Sequence, residues 1–129
     1  MRAARRSPFQ YAIVRLIPDL ARGECLNAGV IVMCRTKRFL GARVHLDEGK
    51  LAVIAPTFDP TEVRAHLGAI ERVAAGEPGA GPIAALGFAE RFHWLVAPAS
   101  TIIQVSPVHT GLCSDPAAEV EHLFAKLVV

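Results

Sequence analysis

The chain has little of what usually marks specialised chemistry. Cys25, Cys34 and Cys113 are its only cysteines and stand at no short spacing. That excludes a complete disulfide framework and a paired-cysteine zinc site, and it favours a reducing cytoplasm. No Gly-x-x-x-x-Gly-Lys or Gly-x-Gly-x-x-Gly loop occurs, so the backbone cradle that holds nucleotide phosphates is missing, and no cofactor is indicated. Charge of one sign is also scarce. Fourteen Lys+Arg stand against 12 Asp+Glu, and Arg2, Arg5 and Arg6 account for the excess; from Ser7 onward the net charge is −1. A dedicated nucleic-acid binder is expected to be basic over its whole domain.

Long apolar runs are lacking too. Phe92 to Ser114 carries no formal charge with its two His neutral, but Pro98, Gln104 and Pro107 break it. Its apolar pieces fall far short of the ~20 residues a membrane helix needs. The basic start, Met1 to Arg6, imitates the first part of a secretory signal, but Arg15 and Asp19 interrupt the apolar stretch that should follow. A cytoplasmic protein is expected. There is no internal repeat and no low-complexity tract.

What is present is a globular composition, 52% hydrophobic and 20% charged over 129 residues. This is enough for one domain that folds without disulfides or a metal. Residues 1–8 are expected to be a disordered basic tail and 9–129 a single domain. Phe9 to Ile17 is apolar and stopped by Pro18-Asp19, the pattern of a buried strand and turn. Leu26 to Cys34 and Phe39 to Leu46, divided by the polar Arg35 to Arg38, should form a hairpin. Gly29 and Gly41 inside it mark a bulge or a close backbone approach.

Asp47 to Ala55 reads as a short helix capped by Asp47, with a short strand as the alternative. Asp59-Pro60-Thr61-Glu62 starts a helix that presents Val63, Leu67, Ile70 and Val73, and Gly76 is placed to end it. Ile83 to Leu95 holds one or two helical turns, Thr101 to Ser106 a strand. Asp115-Pro116 opens a C-terminal amphipathic helix with Val120, Leu123, Phe124 and Leu127 on one stripe. The order gives an α+β domain: an antiparallel sheet of about four strands with helices packed on one face.

The segment Tyr11-Ala-Ile-Val-Arg-Leu-Ile-Pro-Asp, with Gly23-Glu24 and Leu26-Asn27-Ala28-Gly29-Val30, resembles the opening of a bacterial family catalogued as domain of unknown function 3037. The second half is similar to it as well, through Arg91-Phe92-His93-Trp94-Leu95, Pro98, Ser100-Thr101, Gln104, Ser106-Pro107-Val108-His109-Thr110-Gly111 and Asp115-Pro116. The resemblance spans Tyr11 to Val128 and implies no assigned reaction. Members are often encoded beside a HipA-like kinase, which implies a partner or substrate of such a kinase.

The densest polar set at element ends is Arg15, Asp19, Glu24, Asn27, Arg91, Gln104, Ser106 and His109. Polar side chains inside apolar strands are costly unless paired, so these residues either face outward, join a satisfied network, or line a pocket. As a pocket, Arg15, Glu24, Asn27, Arg91, Gln104 and His109 would suit a small hydrolase or nucleotide-processing enzyme, with His109 as base or ligand.

His109 and Cys113 stand four residues apart, but with only His93, Cys25 or Asp19 to complete a set, no metal site is assigned. Asp19 with Glu48 and Lys50 only loosely imitates a metal-dependent nuclease, and Ser106 lacks the glycine elbow of a hydrolase. Trp94 is expected as a core anchor.

Arg35, Lys37, Arg38 and Arg43 form a basic hairpin, either a solvated tip or a nucleic-acid surface. The leading expectation is a non-enzymatic interaction protein, contacting a HipA-like kinase through the basic hairpin end or an exposed sheet edge. Edge strands also make a homodimer an expectation.

Overall fold

In a computed structural model that describes residues 5–98 and 101–129, the chain forms a five-stranded antiparallel sheet and four α-helices. The strands are β1 (Ser7–Leu16), β2 (Leu26–Cys34), β3 (Phe39–Val44), β4 (Ile103–Val105) and β5 (His109–Cys113). The helices are α1 (Glu48–Ile54), α2 (Thr61–Ala75), α3 (Phe88–Leu95) and α4 (Pro116–Leu127), with a 3₁₀ turn over Ile83–Ala85. β1 is the central strand. It pairs with β2 along one side; on the other, β4 pairs with its C-terminal half and β5 with its N-terminal half. The sheet is therefore four strands wide, with the last lane shared by two short strands, in the order β3-β2-β1 and then β4 or β5.

The α+β class and the antiparallel sheet stand; the placement of helices on one face is corrected. Two apolar cores lie on opposite faces. Val14, Leu16, Ile31 and Met33 pack with Val63, Leu67, Ile70 and Phe92 of α2 and α3. Phe9, Val30, Val32 and Cys34 pack with Val120, Leu123 and Phe124 of α4. The physical reason is in β2, where Val30 to Cys34 is apolar at every position and buried throughout. An unbroken apolar run has no polar face to give to water, so both faces must be covered.

The hairpin β2–β3 and the caps form as the sequence indicates. Asp47 Oδ1 accepts the Lys50 N–H at 3.0 Å and starts α1. Asp115 Oδ1 accepts from Ala117 and Ala118 ahead of α4, whose first residue is Pro116. Asp59 acts one residue further out than expected, accepting from both the backbone and the hydroxyl of Thr61. Gly29 and Gly41 are close approaches: a Cβ on Gly29 would stand 2.8 Å from Val44, and one on Gly41 2.7 Å from the Phe39 ring.

Two further differences concern the edges. β1 begins at Ser7, so Ser7 and Pro8 pair with β5 instead of belonging to the tail; the tail's residues 1–4 lie outside the described residues. The segment containing His109, left between the expected strand Thr101 to Ser106 and the C-terminal helix, is β5. No helix among the described residues is long and apolar enough to cross a membrane.

Candidate functional site

The β1–β2 pairing carries a bulge. Val14 pairs with Gly29 but Arg15 pairs with Asn27, leaving Ala28 as the extra residue. Bulges re-aim side chains, and here Asn27 comes opposite Arg15, which is paired on its other side with Gln104. Arg15, Asn27 and Gln104 therefore form one row across three strands, on the face that carries α4. Two of the three are bonded to backbone. Asn27 Nδ2 donates to Leu127 O at 2.9 Å, tying β2 to the last turn of α4, and Gln104 Nε2 donates to Thr101 O at 2.9 Å. On the same face, His109 pairs with Tyr11, their ring centroids 5.2 Å apart, and Tyr11 stacks on Phe9.

Ser106 is buried at the junction between β4 and β5. Its hydroxyl accepts the Ile13 N–H at 2.8 Å and donates to Pro107 O at 2.9 Å, while its own N–H donates to Ile13 O. Those bonds carry the ladder across the place where β4 hands over to β5, so the hydroxyl is held by the scaffold.

Arg91 lies on the opposite side of the sheet, between α2 and α3. Its guanidinium donates to Leu86 O at 2.6 Å and to Ala74 O at 3.4 Å. It packs against Gly76, the left-handed C-cap of α2, where a Cβ would stand 3.2 Å from the guanidinium carbon. Arg91 thus closes the end of α2 and does not join the Arg15 row.

Asp19 and Glu24 belong to the β1–β2 loop at the end of the sheet. Asp19 Oδ1 accepts the Ala21 N–H at 3.0 Å, and Glu24 pairs with Arg22 at 2.5 Å. A cleft of about 590 Å³ opens there, lined by Pro18, Asp19, Arg22, Phe58 and Asp59 among others. Asp59 is held below the usual carboxylate range, first by the Thr61 hydroxyl and then by its N–H. Of the eight polar residues singled out in the sequence, the structure brings Arg15, Asn27 and Gln104 into one row and Asp19 and Glu24 into one loop. Arg91, Ser106 and His109 lie apart from both groups.

The basic residues also divide. Arg43 is paired with Glu121 of α4 and lies 4.5 Å over the Phe124 ring, and Lys37 donates to Ser114 O. Arg35 and Arg38 remain exposed at the hairpin turn, Arg38 in the left-handed region at φ 51°. Cys34 and Cys113 are buried on the α4 face, and Cys25 is exposed. Among the described residues no three His, Cys, Asp or Glu side chains gather as metal ligands would.

One surface feature escaped the sequence reading. Trp94 is not a core anchor: it is 53% exposed, beside a groove of about 300 Å³ lined by Leu95, Pro98, Ile103 and Val105. Helical spacing in α3 buries Phe92 and Leu95, and position 94 falls between them on the outer side. That spacing was the available signal.

A family model, Protein of unknown function (DUF3037), matches residues 11–128. No curated protein and no solved structure matches the chain. The chain belongs to the DUF3037 family.

Proposed function

We propose that this DUF3037 member is a cytoplasmic interaction protein without a reaction of its own, working as an accessory or partner of a HipA-like kinase. The observation that carries this reading is the fate of the polar set. Asn27, Arg91, Gln104 and Ser106 each spend hydrogen bonds on backbone atoms of a different element or turn. A reaction site needs such groups converging on one space, with a base in reach of what it deprotonates.

The kinase contact is assigned to the end of the β2–β3 hairpin. Arg35 and Arg38 stand exposed there with no ion pair among the described residues, whereas Arg43 and Lys37 are already engaged. Two free guanidinium groups on a projecting turn suit an acidic patch on a partner. They are few for nucleic acid, whose affinity rests on many phosphate contacts.

The test is capture of a HipA-like kinase by the purified chain, with and without ATP, with phosphorylation followed by mass spectrometry. The reading expects a stable complex or a phosphorylated Ser or Thr. Absence of both sets it aside.

A further inference from the structure

Phe92 to Ser114 carries no formal charge with its His neutral, and the structure makes part of that stretch an open sheet edge. Among the described residues β5 pairs with β1 alone, on one side. Edge strands are normally protected by Lys, other charges or Pro, because their free N–H and C=O groups invite another strand. In β5 the only interruption is Pro107, two residues before the strand begins. The opposite edge, β3, carries Arg43 and follows Arg38.

Side chains along β5 alternate between the two faces. Leu112 pairs with Pro8 and Thr110 with Gln10, on the face opposite Phe9 and Tyr11; Val108 directly precedes the strand. Leu112 is 61% exposed and Val108 36%, two apolar side chains flanking an exposed Thr110.

We propose that the chain pairs with a second copy of itself along β5, antiparallel, about a two-fold axis through Thr110. In that register Val108 of each copy lies opposite Leu112 of the other, so both exposed apolar side chains are covered. Thr110 lies opposite its own twin, a favourable cross-strand pair. On the other face each His109 meets a Gly111, so the two imidazoles are kept apart. A strand without formal charge can lie against itself with no like charges opposed, and closure by a two-fold uses up the edge.

Neighbouring registers lose this fit. A centre on Gly111 sets Leu112 against Thr110, and a centre on His109 opposes two imidazoles. The pairing uses the outer edge of β5, and it does not depend on the kinase contact.

Sedimentation equilibrium of the full chain tests this, together with Thr110→Lys and Thr110→Glu. Position 110 is exposed, so both variants should keep the wild-type circular dichroism and unfolding midpoint. The expected result is a wild-type dimer, monomers for each variant alone, and a dimer regained when the two variants are mixed. A monomeric wild type overturns the proposal, as does a dimer indifferent to either charge. Failure of the mixed variants to associate overturns the Thr110 centre. A monomer whose kinase capture is abolished by Thr110→Lys would instead give this edge to the kinase.

Discussion

Ser106 and Ile13 are joined by two hydrogen bonds, the Ile13 N–H donating to the Ser106 hydroxyl oxygen and the Ser106 N–H donating to the Ile13 carbonyl, each 2.8 Å long and the first of them buried. They lie 93 residues apart in sequence and hold the last lane of the sheet where it changes from β4 to β5. Ser106→Ala leaves the Ile13 N–H without its partner in a buried setting. We expect a loss of about 1–3 kcal/mol, read as a lower urea midpoint at unchanged slope. A variant with wild-type stability would return this hydroxyl to the list of groups available for chemistry.

Arg91 packs against Gly76 at the end of α2. Arg91→Met removes the donor to Leu86 O and Ala74 O, and the expected cost is again about 1–3 kcal/mol. Gly76→Ala places a Cβ at φ 65° and 3.2 Å from the guanidinium carbon. The left-handed conformation alone costs roughly 1–2 kcal/mol, so this variant should also unfold earlier in urea. An Arg91→Met protein as stable as wild type would contradict the structural role.

These residues show what was legible in the sequence. Asp47, Asp115-Pro116 and Gly76 announce helix ends through local chemistry, so α4 and the end of α2 could be read directly, and α1 with a short strand as its alternative. β5 could not, because Pro107 and Gly111 give it the composition of a loop, and its strand state comes from pairing with β1. The side of the sheet that α4 covers was written only indirectly, in the unbroken apolar run of β2. Arg15, Asn27 and Gln104 could be named as polar intruders in strands. That they share one row depends on the bulge at Ala28, beside Gly29; the glycine marked a bulge or a close approach there, but not the register that results.

Asn27→Ala should loosen the end of α4. Its amide is the donor to Leu127 O, and a net hydrogen bond of this kind contributes about 0.5–1.5 kcal/mol. Hydrogen exchange should quicken in the last turn of α4 and stay unchanged in β1. Unchanged exchange in that turn would show that the bond does not anchor the helix.

Burial holds the Cys113 thiol above its ordinary value, with Cys34 adding to the rise. In the unfolded chain this thiol ionises near its ordinary pKa of about 8.5, while the folded form keeps its proton. Above that pH the unfolded state binds fewer protons, so stability falls as pH rises through the ordinary thiol range. Urea midpoints measured from about pH 7 to about pH 10 should decline, and Cys113→Ala should flatten the decline. In the native protein a thiol reagent should modify Cys25 first, since it alone of the three is exposed.

In the function proposed above, Arg35 and Arg38 are the contact with a HipA-like kinase. The most direct measurement is a binding titration of the purified HipA-like kinase with the wild-type chain and with the Arg35→Glu/Arg38→Glu double variant, at two salt concentrations. The account expects saturable wild-type binding that weakens with salt, and a double variant at least about tenfold weaker, roughly 1.4 kcal/mol. Wild-type binding that is absent, or that survives the double reversal unchanged, would contradict it.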